Sequence, residues 1–579
     1  MKLDLQLGSR SRVLAFGLLA IAMIFVGRLF YLQVIQHDYY VSVAADAQQS
    51  RFVIPAERGQ IYTKSGDEVV QLVMNQTVYT VFADPETVTE PDVIMKSLRE
   101  IAGGNLRSNA AELLERTNTR YQILATKLTR VQADKLKEKE LAGIGFQAES
   151  QRVYPEGNLA GQVLGFVNTE GVGNYGIEGA LDEELQGRDG VLQSVTDVSK
   201  VPLTIGNNNI RQPAVDGKDI VLTIDRNVQS KVEQSLKDAA RRTGATNVSA
   251  VVMDPATGKI MAMANLPSYN PGEYFLVDDV ARFNNPVISA PYEPGSTIKA
   301  FTMATAVDKN VIKPSDTFVN TDSIRVADRT ISNATKGLTG TITFQTAMQW
   351  SLNTGFVTIA QRLGNGTEIT AGARDTIYDY FYNKFRLSQP TGIELAGESA
   401  GTIIAPNQPT GNAVRYSNMS FGQGMEATML QVASGFTALI NGGAYYSPTL
   451  IDGYMEDGSF VPRDTISPVE SNLIKPSTSE TVKKVLVDAR RAGFPGADRA
   501  GYVVGGKTGT SQVIKNGVYS DRETIASYVG FGGGDRPEYV IMVQVSGEDR
   551  EFEGARDALP IFTDISNWMI EYLKIQPKG

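Results

Sequence analysis

PGSTIK, residues 294–299, is the stretch on which the reading of this 579-residue chain turns. Ser296 and Lys299 stand three residues apart, and the apolar positions Ile298, Phe301 and Ala304 recur at helical spacing. Side chains at i and i+3 share one face of a helix, so a nucleophile and its base would face the same way. A serine at a helix start also has unpaired backbone N–H groups beside it, suited to a developing oxyanion. Alone, the pair is weak. Pro-Gly-Ser-Thr is an ordinary loop-to-helix junction, and roughly one or two S-x-x-K matches arise by chance in such a chain.

What the chain lacks narrows the chemistry. It has no cysteine, which excludes disulfides, a thiolate nucleophile and Cys-ligated zinc. Its single histidine, His37, follows an apolar N-terminal run and is far in sequence from every candidate site. A Ser-His-Asp triad or a His-ligated metal would have to use it. No metal and no cofactor are expected, and lysine is left as the base for a serine nucleophile. The net charge of −9 argues against nucleic acid as a partner, because that polyanion rewards basic surfaces. Hydrophobic and charged fractions of 42% and 21% are those of a globular protein, and the length implies about three or four structural units.

Two downstream pieces strengthen the reading. Ser351 and Asn353 form S-x-N in TAMQWSLNTGFV, a helix-to-loop region, and Lys507-Thr508-Gly509-Thr510 lies in VVGGKTGTSQVI, a strand-like run. The segment GYVVGGKT, 501–508, formally matches a phosphate-loop pattern. Its Val503-Val504 pair and the strand-like residues after Thr510 fit poorly with a glycine cradle opening a helix.

Near the N-terminus, residues 13–35 read VLAFGLLAIAMIFVGRLFYLQVI, apolar except Arg28 and Gln33, with Lys2, Arg10 and Arg12 before them. The run is long enough to span a bilayer if Arg28 snorkels to the headgroups beside Tyr31. The basic flank predicts the N-terminus inside and the body outside. A cleaved signal peptide is the alternative; the A-x-A cleavage candidate, Ala45-Asp46-Ala47, lies too far past the apolar run.

From about 50 to 210 short β-like runs (77–82, 161–167) alternate with charged helical stretches (110–115, 131–140) and glycine-rich joints (171–190). The turn-rich 206–217 stretch marks a boundary. Beyond it, 219–224 reads as a strand. Asp225 caps a helix striped by Val228, Val232 and Leu236 and ending near Gly244. Runs 249–253 and 259–265 form a hairpin through Asp254–Gly258. Strand-like runs at 502–510, 525–530 and 538–546 and a last helix (Phe562, Ile565, Met569, Leu573) complete an antiparallel sheet covered by helices. The site is expected where the helical insert meets that sheet.

S-x-x-K, S-x-N and K-T-G in this order are the set of β-lactamases and penicillin-binding proteins. The chain resembles a class B penicillin-binding protein over nearly its whole length. RLFYLQV (28–34), ERGQIY (57–62), YPEGNLAGQVLGF (154–166), GIEGALDEELQG (176–187), DIVLTIDRNVQ (219–229), VMDPATGKIMAMA (252–264), YEPGSTIK (292–299) and SFGQGMEAT (420–428) carry the likeness. Thr63-Lys64-Ser65 departs from the family's usual Asp-Arg-Asn at that place.

The resemblance implies an α+β protein with a cytoplasmic tail (1–12), a single-pass anchor (13–35), a β-rich pedestal for dimerisation or partner binding (36–215) and a transpeptidase domain (216–579). It implies peptidoglycan D,D-transpeptidation at the bacterial cytoplasmic membrane, with β-lactams as inhibitors. Ser296 would be the nucleophile, Lys299 its base, Ser351 the proton relay and Asn353 the holder of the peptide amide. Lys507, Thr508, Gly509 and Thr510 would hold the substrate carboxylate, and the N–H groups of Ser296 and Thr510 would form the oxyanion hole. Implied partners are stem peptides, a SEDS-family glycosyltransferase and divisome proteins. The short spacing between YPEGN and GIEGA favours a division-type enzyme over an elongation-type one. The rivals are a β-lactamase or D,D-carboxypeptidase, and a non-catalytic β-lactam sensor or scaffold.

Overall fold

The computed structural model describes residues 9–40, 49–195, 210–515 and 517–578. Residues 1–8, the Ala45–Ala47 triplet and the first part of the 206–217 stretch lie outside these. The chain divides into two compact units, Met1–Arg58 with Gln186–Gly217, and Gly59–Leu185 with Lys218–Gly579.

The first unit holds helix α1 (Ser9–Phe30), continued by a wider π turn over Tyr31–Ile35. Arg12–Ile35, 24 residues, is long and apolar enough to cross a membrane. Such a length rises about 36 Å as a helix, against a hydrocarbon core of roughly 30 Å. Arg28 lies over the Tyr31 ring, 5.5 Å from its centroid, within cation–π range. This unit also contains a three-stranded antiparallel sheet, with Gly190–Val195 between Gln49–Ile54 and Ile210–Gln212.

The second unit is built on two sheets. The seven-stranded one takes β1 (Ile61–Ser65), β2 (Glu68–Ala83), β3 (Gln122–Leu128), β4 (Ile144–Val153) and β5 (Asp219–Asp225), with Ile451–Glu456 and Ser459–Pro462. β5 lies between Ile451–Glu456, antiparallel, and β1, parallel. The long β2 pairs with β1 along its first half and with β3 and β4 along its second.

Helix α2 (Arg226–Thr243) starts where the Asp225 carboxylate accepts the N–H groups of Asn227 and Val228 at 2.8 and 3.1 Å. It stops at Gly244, whose φ of +70° suits the left-handed C-terminal cap. The five-stranded antiparallel sheet follows, made of β6 (Asn247–Met253), β7 (Ile260–Leu266), β8 (Val503–Lys515), β9 (Val518–Gly533) and β10 (Pro537–Ser546) in the order β7-β6-β10-β9-β8.

Side chains alternate across a strand, and β6 shows what that buries. Val248, Ala250 and Val252 pack with α2 and with α7 (Leu559–Tyr572). Val251 and Met253 join the opposite core, shared with α3 (Lys299–Asp308), α4 (Asn353–Arg362), α5 (Met429–Ile440) and α6 (Pro476–Gly493). The architecture is therefore mixed α+β, an antiparallel sheet flanked by helices with a helical subdomain between β7 and β8.

Two local expectations are corrected. Residues 161–167 are a single helical turn, Gly161–Leu164, before a two-residue strand. A short apolar run carries no decisive period, and here Glu233 accepts the Ala160 N–H at 2.8 Å and starts the turn. The second concerns β8 and β9, which run well beyond the expected 502–510 and 525–530 as a two-stranded arm pairing Lys515 with Val518. The arm's outer residues are largely exposed, so no apolar alternation marks them.

Candidate active site

Ser296 lies in a 3₁₀ turn, Gly295–Ile298, and regular α-helix begins only at Lys299. The Lys299 N–H reaches back to the carbonyls of Ser296 and Thr297, the tighter geometry of a helix start. The expectation of a helix from Ser296 onward is corrected by one turn. The tight turn fits against strand β8. A Cβ on Gly509 would come within 2.3 Å of Ser527 Oγ and 3.0 Å of the Pro294 carbonyl oxygen, so a residue without a side chain is what brings K-T-G-T up to the serine.

Lys299 is fully buried. Its Nζ donates to the Ser351 carbonyl at 2.7 Å and to Asn353 Oδ1 at 2.8 Å, and lies 3.1 Å from Ser351 Oγ. The Phe356 ring centroid is 5.5 Å away. Burial, reinforced by the charge of Lys507, holds this amine well below the usual lysine range.

Ser351 occupies the link between helix Phe344–Gln349 and α4, with φ at +56°. A non-glycine residue in that region costs roughly 1–2 kcal/mol and turns the side chain and carbonyl together toward Lys299. Asn353 opens α4, and its Nδ2 donates to the Ser332 carbonyl at 3.0 Å. That bond leaves Oδ1 for the lysine. Beside it, Thr354 is pinned by buried Asn320 and Asn333, so S-x-N is held from both sides.

On edge strand β8, Lys507 is buried and donates to the Thr508 carbonyl and hydroxyl at 3.0 and 3.1 Å. Burial lowers its amine to about 7. Thr510 Oγ1 accepts the Gly554 N–H at 3.1 Å, and a Cβ on Gly295 would sit 2.9 Å from the Thr510 carbonyl oxygen. Hydrogen bonds thus join Lys299, Ser351 and Asn353, while the Pro294–Gly295 backbone just before Ser296 packs against Gly509 and Thr510. GYVVGGKT runs into β8 with no helix after it, so it forms no phosphate cradle.

The sequence reading passed over Glu293 and Tyr519. Glu293 is buried, three residues before Ser296, and its Oε1 accepts the Tyr519 hydroxyl at 3.0 Å. The available signal was one carboxylate inside the otherwise uncharged approach PYEPGS.

A five-stranded sheet with a helical subdomain, bringing a serine turn, a buried lysine and a second lysine strand together, defines a class of lysine-dependent serine enzymes. Residues 248–567 match the penicillin-binding protein transpeptidase domain and residues 53–222 the penicillin-binding protein dimerisation domain. The chain belongs to the penicillin-binding protein transpeptidase family, in its class B group. It is 29% identical to stage V sporulation protein D of Bacillus subtilis, over 98% of this chain and 86% of that one. It is 27% identical to peptidoglycan D,D-transpeptidase FtsI of Escherichia coli, over 97% of this chain and 91% of that one. Penicillin-binding protein 3 of Mycobacterium tuberculosis, solved in complex with aztreonam, superimposes with a TM-score of 0.67 at 26% identity, covering 91% of this chain and 98% of that one.

Proposed function

We propose that this chain is a membrane-anchored peptidoglycan D,D-transpeptidase of septal wall synthesis, acting through an acyl-enzyme on Ser296. The observation that carries the reading is the environment of Lys299. A neutral amine has two N–H bonds and one lone pair. The Ser351 carbonyl and Asn353 Oδ1 are both acceptors and take the two N–H bonds, which leaves the lone pair for a hydroxyl proton.

Lys299 removes the Ser296 proton as Oγ attacks the carbonyl between the last two D-alanines of a donor stem. The N–H groups of Ser296 and Thr510 stabilise the oxyanion. Ser351 relays the proton to the departing amine, the C–N bond breaks and D-alanine leaves. Asn353 holds the peptide amide, and Lys507, Thr508, Gly509 and Thr510 hold the terminal carboxylate. The amine of a neighbouring stem then attacks the ester, forming the cross-link and freeing Ser296. A β-lactam acylates the same serine and stops there.

In this reading residues 13–35 anchor the protein with residues 1–12 in the cytoplasm and the body outside. Residues 36–215 form the partner-binding pedestal, for a SEDS-family glycosyltransferase and divisome proteins, and 216–579 the transpeptidase domain. The likeness to FtsI supports the septal role. Labelling with a fluorescent penicillin tests the core of it. The wild type is expected to label and Ser296→Ala to lose all signal; label persisting in the variant would refute the nucleophile. Product analysis with a stem-peptide donor and an amine acceptor distinguishes transfer from the hydrolysis of a carboxypeptidase or β-lactamase.

A further inference from the structure

Three segments far apart in the chain meet at one carboxylate. Glu293 is 6% exposed. Its Oε1 accepts the Gly424 N–H at 2.7 Å and the Tyr519 hydroxyl at 3.0 Å, while Oε2 is buried with no hydrogen-bond partner among the described residues. Tyr519 sits near the tip of the β8–β9 arm, opposite Ile514. Gly424 belongs to the 420–424 stretch, which touches the serine turn directly, since a Cβ on Gly422 would come within 1.9 Å of the Gly295 carbonyl oxygen. Burial pushes the Glu293 carboxyl up against the hydrogen bonds from Gly424 and Tyr519, and from the 413–428 segment Glu426 raises it further while Arg415 lowers it. Arg415 in turn donates to the Gly424 carbonyl at 3.0 Å.

Packing alone does not call for a carboxylate here. A buried acid with one oxygen unpaired is unfavourable, and an apolar side chain of the same size would fill the space. What only the acid or its amide supplies is an oxygen accepting from two segments at once. Those segments are the tip of the arm, whose base is Lys507–Thr510, and the loop that backs Gly295.

We propose that Glu293 is a positioning residue for Ser296, tying the arm tip and the Gly422–Gly424 loop to the serine turn so that the nucleophile and the K-T-G-T strand keep one separation. This rests on the acylation of Ser296 proposed above. Its test uses the full-length protein in detergent and a fluorescent penicillin, resolving the saturating acylation rate from the half-saturating concentration. Tyr519→Phe, a change at a partly exposed ring, is expected to slow the saturating rate about tenfold, the effect of one hydrogen bond to a charged group, and Glu293→Ala, which loses the Gly424 bond as well, at least as much. Half-saturation is expected to stay within about twofold, as a loss confined to the reacting geometry requires. Glu293→Gln keeps the accepting oxygen and is expected to recover most of the rate. The double variant Tyr519→Phe with Glu293→Ala is expected to be no slower than Glu293→Ala alone, because Glu293→Ala already removes the bond that Tyr519 makes. Wild-type speed in Tyr519→Phe, multiplying effects in the double variant, or Glu293→Gln as slow as Glu293→Ala would each overturn the clasp. Ser296→Ala separates the two levels: labelling that survives it refutes the acylation itself, whereas labelling lost there with Tyr519→Phe at full speed refutes the clasp alone.

Discussion

An alkyl amine in water holds its proton to about pH 10, so the role of base proposed for Lys299 requires surroundings that penalise charge. Burial does most of this, and the ammonium of Lys507 adds to it. Lys507 is itself lowered to about 7 by burial. The two demands run in opposite directions with pH. In the proposed mechanism Lys299 acts when neutral, and its neutral fraction grows as pH rises through its lowered pKa. In the same mechanism Lys507 would hold the substrate carboxylate when charged, and its charged fraction falls above about 7. The second-order rate of penicillin acylation is therefore expected to be bell-shaped, with the descending limb near pH 7. Lys507→Ala removes a like charge from Lys299, so the Lys299 pKa moves up. Stopped-flow profiles of this variant are expected to show the rising limb displaced to higher pH and the falling limb gone. A rising limb displaced to lower pH would contradict the electrostatic account. These two lysines were legible in the sequence because each sits in a short motif at fixed spacing from a hydroxyl residue. Glu293 was not, because nothing local says that a glutamate before a Pro-Gly meets a tyrosine more than two hundred residues on.

At the scale of the element, β8 is the sheet's edge, and its position depends on β9 beneath it. Tyr528 of β9 lies in register with Thr508, and its hydroxyl accepts from Arg490 Nη1 at 2.7 Å. Arg490, on α6, is fully buried, pairs with Asp498 at 2.6 Å and donates to Thr563 Oγ1 at 3.0 Å. A buried cation that loses its counter-ion keeps its desolvation cost, and breaking such a pair costs roughly 3–5 kcal/mol. Asp498→Ala is expected to destabilise at the low end, about 3 kcal/mol, since water reaches part of the Asp498 side chain. Arg490→Met removes the charge and keeps the volume, so roughly half that loss is expected. Calorimetric melting of both variants checks the order; equal losses would mean that the bonds of the pair, rather than the cost of an unpaired buried cation, hold α6 to β9. Nothing within KKVLVDARR (483–491) distinguishes Arg490 from a solvated charge. The Asp225 cap, the β6–β7 hairpin and the closing helix could be read, because each is marked by residues within a turn or two of itself. The arm from Ser511 to Arg522 could not, because both its faces meet solvent for much of its length.

Across the molecule, the boundary placed near residue 216 cuts through a sheet. β5 hydrogen-bonds in parallel to β1, some 160 residues earlier in the chain, a pairing that no local periodicity encodes. Ile61, Leu72, Val73, Val163, Leu164, Ile177 and Leu185 share one buried cluster with Ile220, Leu222, Ile224 and Val251. The Ala160 N–H is held by Glu233 of α2, and Thr63 donates to the Ile224 carbonyl at 2.7 Å. The Thr63-Lys64-Ser65 departure belongs to this join: Lys64 and Lys259 both pair with the buried Asp452 at 2.5 Å, and Ser65 Oγ accepts from Asn227 at 3.0 Å. Residues 216–579 produced alone would bare the long edge of β5 and an apolar face normally covered by those seven side chains. At about 1.5–3 kcal/mol each, the lost burial is on the order of 10 kcal/mol or more, comparable with the net stability of a whole domain. The shortened chain is expected to aggregate on size exclusion and to label poorly with penicillin, while a chain beginning at residue 36 stays soluble and labels fully. An exposed, unpaired strand edge predicts association as well as instability. A monomeric 216–579 chain acylating at the full rate would show that the transpeptidase fold is complete without β1 and β2, and that the shared sheet is a docking contact, not part of its core.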